Sequence, residues 1–300
     1  MILGHEKNES VLAKAITSNH VFPTWIFSGA YGIGKASIAY KFTGCLLSGH
    51  MPTNDKLDIL NNDSTMKMIQ NRTHPDFTVL EQTLESVSID EIRNIFDKIY
   101  MTPTISKWRV IILENASSFN KNICNSLLKI LEEPPQNTVI ILICTTLGNL
   151  PKTLLSRAMK LHFSPLPIDI VENYLQSKNI SNAKELASLS NGSIGLALKL
   201  NEKNGIETYH HLLNGFEKKD VQSAIKFVKD NDVDFEIVRE CFLHIFHEYL
   251  CEIIKNNDPL CNDIELAKIQ KIVSLLDHSN TYMLDKNAVI AATYEQFFND

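Results

Sequence analysis

Residues 28–37 read SGAYGIGKAS, and no other stretch limits the possible folds of this chain as much. Gly29, Gly34 and Lys35 stand at the fixed positions of the phosphate-binding pattern G-x-x-x-x-G-K-[ST], with Gly32 between them. In such a loop, backbone N–H groups at the start of a helix surround an anion, and the lysine reaches its outer phosphates. The flanks suit the motif. Thr24-Trp25-Ile26-Phe27 is a short apolar run that predicts a strand entering the loop, and 36–42 has helical spacing. Strand, glycine loop and helix in that order distinguish a nucleotide loop from a glycine-rich turn that merely fits the pattern. The final position should carry a hydroxyl for magnesium, and Ala36 occupies it. Ser37 comes one residue late, and one residue turns a helix by about 100°, so its hydroxyl points elsewhere.

The next 130 or so residues alternate between strand and helix signals, which argues for a parallel α/β core. Strands are predicted at 77–80, 109–113 (RVIIL), 138–144 (TVIILIC) and 159–163. The middle two are apolar without alternation, as in a sheet covered on both faces. An amphipathic helix is predicted over 88–100, with Ile89, Ile92, Phe96 and Ile99 on one face. A second, over 120–133, turns Ile123, Leu127, Leu128 and Leu131 inward and is stopped by Pro134-Pro135. Residues 46–73 are mostly polar, with no strong period, and read as irregular. Pro165 and Pro167 mark a boundary, after which no strand is evident. Two or three short helices are expected over 168–200, broken at Asn191-Gly192-Ser193, and helices throughout from about 205.

A P-loop ATPase needs an acidic residue at the end of a neighbouring strand, followed by a glutamate that activates water. Here RVIIL runs into Glu114-Asn115. Glu114 could hold magnesium through water, but Asn115 cannot accept a proton. A general base contributes roughly 10²–10⁴ in rate. With Ala36 also unsuited, hydrolysis on this chain should be negligible; reading Glu114-Asn115 as a plain polar strand end predicts the same.

Composition narrows the setting. The formal charge is -6, and residues 201–300 hold 18 acids and 10 bases against 17 and 19 in the first 200. Neither part is strongly basic, which argues against tight nucleic-acid binding by this chain alone, because phosphate neutralisation supplies most non-specific affinity. No apolar run reaches the roughly 18 residues of a membrane span. The first residues, MILGHEKNES, lack the build of a secretion signal, so a cytoplasmic protein is expected. Its six cysteines are then reduced thiols. Cys241, His244, His247 and Cys251 fall within an arc of about 120° on one predicted helix. Four ligands on one helix rarely converge on a tetrahedral ion, so ordinary helix packing is the expectation there.

Several motifs carry a family resemblance. Residues 125–135, NSLLKILEEPP, resemble the N-x-L-L-K-x-L-E-E-P-P run of bacterial clamp-loader subunits, and Ser156-Arg157-Ala158 resembles their S-R-C motif. Gly4-His5-Glu6, His74-Pro75-Asp76 and Ile89-Asp90-Glu91-Ile92-Arg93 match in order and spacing. The chain resembles the subunits of the bacterial DNA polymerase III clamp loader, an AAA+ family, and within it the delta prime type. The match is dense over residues 1–200 and loose beyond. The resemblance implies an α/β AAA+ core over 1–163, a small helical lid over 164–204 and a helical collar over 205–300 that closes a five-subunit ring. It implies as partners the other ring subunits and, through the complex, the sliding clamp and primed DNA, with no membrane. In that family ATP sits between neighbours and the S-R-C arginine reaches the next subunit's ATP; that role falls on Arg157. The alternative is an ordinary surface arginine, and Ala158 replaces the family's cysteine. Other departures agree with a lost motor role. Gly195 stands where ATPase relatives carry an arginine that touches the γ-phosphate, and Thr145 or Thr146 sits at the sensor position after the fourth strand. Many relatives carry a four-cysteine zinc module after the first helix; 46–73 contains no cysteine and Cys45 stands alone, so no zinc is expected. No cofactor is required on this reading, although Lys35 and three glycines leave weak ATP or ADP binding open. The alternatives are an ATP-hydrolysing motor subunit of the same machine and an independent P-loop enzyme such as a nucleotide kinase.

Overall fold

Among the described residues, five parallel strands form one sheet in the order β2-β3-β4-β1-β5. They are β1 (Thr24–Ser28), β2 (Phe77–Leu80), β3 (Arg109–Leu113), β4 (Thr138–Cys144) and β5 (Met159–His162). The computed structural model describes residues 3–59, 63–81, 98–119, 121–148, 150–255, 259–282 and 285–298. The helix expected over 88–100 falls outside these residues as far as 97; Ile99 is buried.

The sheet is covered on both faces, as the unbroken apolar runs of its central strands require. Successive strand residues point to opposite faces, so each strand feeds two cores. Val110 and Ile112, with Val139 and Ile141, pack toward α1 (Glu6–Thr17) and α2 (Lys35–Ser48). Ile111, Leu113, Ile140 and Leu142 pack toward α4 (Lys121–Glu132) and α5 (Lys152–Leu155). The third helix is α3 (Ser64–Gln70). Its segment reads as irregular, yet Leu57, Ile59, Met66 and Ile69 all join the first core. Asp63 caps the helix, its carboxylate accepting from the Thr65 and Met66 N–H groups. Gly44 lets α3 approach α2: a Cβ there would lie 2.3 Å from Met66 Sδ. Seven residues with two inward positions are too few to produce a readable period.

A buried ion pair fastens the chain ahead of β2 and β3. The Asp76 carboxylate is fully buried and accepts from the N–H groups of Thr104, Ile105 and Ser106 at 2.6, 2.9 and 3.0 Å. It also accepts from Arg109 Nη2 at 3.1 Å. Arg109 in turn donates to the carbonyls of Met101 (2.7 Å), Thr102 (3.1 Å) and Lys98. Burial alone would raise the Asp76 carboxyl; the three N–H donors and the guanidinium outweigh it and hold it down at about 2.

The chain divides into two compact units, Met1–Leu166 and Pro167–Asp300. The second unit is helical among the described residues. Three short helices, α6 (Ile168–Ser177), α7 (Ala183–Leu189) and α8 (Ile194–Glu202), pack on one another. Five follow: α9 (Gly205–Glu217), α10 (Val221–Asp230), α11 (Phe235–Lys255), α12 (Pro259–Tyr282) and α13 (Lys286–Phe298). Tyr294 lies at their centre, fully buried, and its hydroxyl donates to the Leu212 carbonyl at 2.7 Å. Gly215 makes room for it, since a Cβ there would meet the hydroxyl at 2.4 Å. No helix among the described residues is long and apolar enough to cross a membrane.

Candidate functional site

The glycine loop leaves the C-terminal end of β1 and turns directly into α2, with Lys35 as the first helical residue. Gly29 has φ +147°, and a Cβ on it would lie 2.3 Å from the Phe163 carbonyl oxygen. The first glycine is therefore demanded by the chain leaving β5 as well as by any anion, since Phe163 N–H donates to the Ser28 carbonyl at 2.7 Å. His5 also supports the loop. Its Nε2 contacts the Ile33 carbonyl at 2.8 Å and must carry the proton, because a carbonyl only accepts. The imidazole also lies edge-on to the Phe163 ring, with 5.0 Å between centroids.

Lys35 is turned back onto its own loop. Its Nζ donates to the carbonyls of Gly29 and Ala30, each at 2.6 Å, and only 6% of the residue is exposed. Burial lowers the ammonium from its ordinary value, an effect partly opposed by the nearby Cys144. The same burial pushes the Cys144 thiol up to about 11. Ala36 packs against the first core, and Ser37 is exposed on another side of the helix. No side-chain oxygen therefore stands at the magnesium position of the motif.

The neighbouring strand ends sit on the same edge of the sheet. Glu114 extends β3, its N–H donating to the Leu80 carbonyl at 2.9 Å. Burial raises its carboxyl, the Glu81 charge adds to that, and Arg72 opposes it. Asn115 adopts a left-handed conformation, φ 52°, and opens a short 3-10 turn over Ala116–Ser118. Ser117 in that turn ties it to the end of β4: its Oγ accepts from Thr145 N–H at 3.1 Å and lies 3.3 Å from Thr145 Oγ1. Thr145 is thus fixed at the strand end expected for a sensor, while Thr146 meets Ser117 through its backbone. The sequence gives no warning of Ser117, because its partners lie 28 and 29 residues away. Gly195 is the second residue of α8 in the other unit, behind Ser193, whose Oγ caps the Leu196 N–H at 3.0 Å. A glycine offers no side chain to a phosphate.

Arg157 belongs to the opposite edge. Strand β5 runs parallel to β1 with Met159 beside Trp25, so Arg157 lies before the strand's N-terminal end. The glycine loop departs beyond Ser28, at the other end of β1. The length of the strand separates the two edges by about 13 Å. Arg157 donates through Nη1 to the Thr153 carbonyl at 3.0 Å and through Nη2 to Glu132 Oε1 at 3.2 Å. Its side chain is 38% exposed. One sheet therefore carries the glycine loop at one end and a surface guanidinium at the other, where its own Lys35 cannot share a ligand with it.

The Cys/His group on α11 is dispersed. Cys241 is buried and donates to the Gly205 carbonyl at 3.6 Å. His244 is buried against the Tyr209 ring and 3.4 Å from Glu248, whereas His247 is exposed beside Cys251. Among the described residues, no three or more His, Cys, Asp or Glu side chains are grouped so as to hold a metal ion. The described cysteines, Cys45 included, form no disulfide.

Comparison with known proteins agrees with this architecture. Residues 4–167 match the family model described as DNA polymerase III, delta subunit. Among curated relatives, DNA polymerase III subunit gamma of Buchnera aphidicola is 23% identical, over 96% of this chain and 86% of its own length. Subunit gamma/tau of Mycoplasma genitalium is 25% identical over 99% of this chain, which spans 57% of that relative. Subunit tau of Bacillus subtilis is 29% identical over 54% of this chain and 28% of its own length. A solved gamma subunit-related protein from Thermotoga maritima superposes with a TM-score of 0.55 at 17% identity, covering 96% of this chain and 99% of that one. That likeness is one of fold. The first unit has the α/β AAA+ fold, and the second unit is helical among the described residues.

Proposed function

The chain belongs to the DNA polymerase III, delta subunit family, and from that premise we propose that it is a clamp-loader subunit of the delta prime kind. It does not hydrolyse ATP. It braces a five-membered ring and offers Arg157 to ATP held by the adjoining subunit while the sliding clamp is opened and placed on primed DNA. The observation that carries this reading is the separation of Arg157 from Lys35 across the length of the sheet. A guanidinium at that edge is useless to the chain's own phosphate loop and open to a neighbour's. Residues 164–204 act as a lid and 205–300 as the collar that holds the ring together.

The similarity to gamma and tau subunits favours a second reading, an ATP-hydrolysing motor subunit. Ala36, Asn115 and Gly195 weigh against it: no magnesium hydroxyl, no general base and no γ-phosphate arginine. Lys35 keeps the loop's shape, but a phosphate must first displace the Gly29 and Ala30 carbonyls from its ammonium. Nucleotide binding here is weak at most, and no zinc is needed. The acidic excess of residues 201–300 leaves contact with DNA to the assembled complex.

Reconstitution with candidate ATPase subunits tests the assignment. Native mass measurement should find a mixed ring containing this chain, and the ring's ATP turnover should depend on its presence. A chain that stays alone, or a ring that turns over ATP equally well without it, excludes the role.

A further inference from the structure

We propose that Glu132 is the positioning residue for Arg157. The inference rests on the reading of Arg157 as a group that acts on a neighbour's ATP, and adds how the chain keeps it aimed. Glu132 is the last residue of α4, with Glu133 directly behind it. That is an unfavourable place for a carboxylate, because the C-terminal end of a helix carries partial negative charge and prefers Lys or Arg. Lys129 in the same last turn offsets part of this, and the ion pair that Glu132 makes reaches elsewhere in the structure. Its partner is Arg157, 25 residues away, whose Nη2 meets Glu132 Oε1 at 3.2 Å.

The geometry suits a holder rather than a lock. The guanidinium spends one donor on Glu132 and one on the Thr153 carbonyl. Arginine has five, so three remain for an anion that arrives from outside. Both side chains are exposed, 38% for Arg157 and 56% for Glu132. A pair of that kind is weak, so a phosphate can recruit the guanidinium without a large opposing cost. Held at two points, the planar fork keeps its direction, and less rotamer freedom is lost when a phosphate is bound.

The test uses the assembled complex and reads ATP turnover at the site that faces Arg157. Glu132→Ala should lower kcat about two- to five-fold, the scale of one exposed ion pair, and leave the KM for ATP unchanged. Glu132→Gln, which keeps an acceptor but no charge, should fall between. In an Arg157→Ala background, Glu132→Ala should cause no further loss, because a residue that acts only through the arginine has nothing left to position. Thermal melting of each variant separates this from unfolding. Wild-type kcat in Glu132→Ala, alongside a strong defect in Arg157→Ala, overturns the positioning role and leaves the arginine's role standing. A rise in turnover overturns it as well, because Glu132 would then restrain the arginine. Full activity of Arg157→Ala overturns the underlying reading itself.

Discussion

In the assembled complex, Arg157→Ala is expected to lower ATP turnover at the adjoining site by about 10³-fold or more, the range of an arginine supplied in trans to a transferring phosphoryl group. The size of the effect follows from what the guanidinium does. Negative charge moves onto the leaving-group oxygen as its bond to the phosphoryl group stretches, and a fixed cation beside the transferring group stabilises that state more than it stabilises bound ATP. The loss should therefore appear in kcat and kcat/KM together. Single-turnover measurement is the proper readout, because other sites in a ring continue to fire. Arg157→Lys should recover part of the rate, since an ammonium supplies charge but not the planar fork. The melting of the isolated chain should barely move: the arginine's ion pair with Glu132 is exposed on both sides, and such pairs contribute little to folding. Unchanged turnover in the mutant complex would show that Arg157 serves no neighbour.

The largest effect on stability is expected at Asp76. Asp76→Ala leaves the Arg109 guanidinium buried without its carboxylate and strips the N–H groups of Thr104, Ile105 and Ser106 of their acceptor. Breaking a buried pair from one side costs roughly 3–5 kcal/mol, a large part of the 5–15 kcal/mol that holds an ordinary domain together. Chemical denaturation should show it as a lower midpoint. The same site sets a pH dependence. Its carboxyl is held at about 2 in the folded chain, below the roughly 3.9 of an unfolded aspartate. Its contribution is thus complete above pH 4 and is lost as pH falls from there through 2; the difference is worth about 2–3 kcal/mol. Wild-type stability should decline over that interval, and the Asp76→Ala chain should show a shallower decline. Parallel declines in the two proteins would assign the acid sensitivity to other groups.

What the sequence made visible and what it hid differ by the range of the interaction involved. RVIIL and TVIILIC are legible as buried strands because both faces of the sheet are covered, and Pro134-Pro135 ends α4 by removing the donors that a further turn requires. The strand, glycine turn and helix of residues 24–48 are legible because the glycines and lysine that mark the turn are adjacent in the chain. Helix α3 is hidden because it is short and owes its position to Gly44 on another helix. The Asp76–Arg109 pair spans 33 residues and the Glu132–Arg157 pair 25, so neither produces a local pattern. His74-Pro75-Asp76 is recognisable as a motif, but only the folded chain shows Asp76 gathering three N–H groups and a guanidinium. The inward turn of Lys35 is invisible for a related reason: the motif fixes where the lysine begins, and the loop's own carbonyls decide where its ammonium goes.

Steady-state phosphate release by the purified chain alone, supplied with ATP and magnesium, bears most directly on whether this phosphate loop has kept its shape without its chemistry. A rate indistinguishable from a protein-free control is the predicted result. Brisk magnesium-dependent release that disappears in Lys35→Ala would contradict it, and would make this chain a motor in its own right.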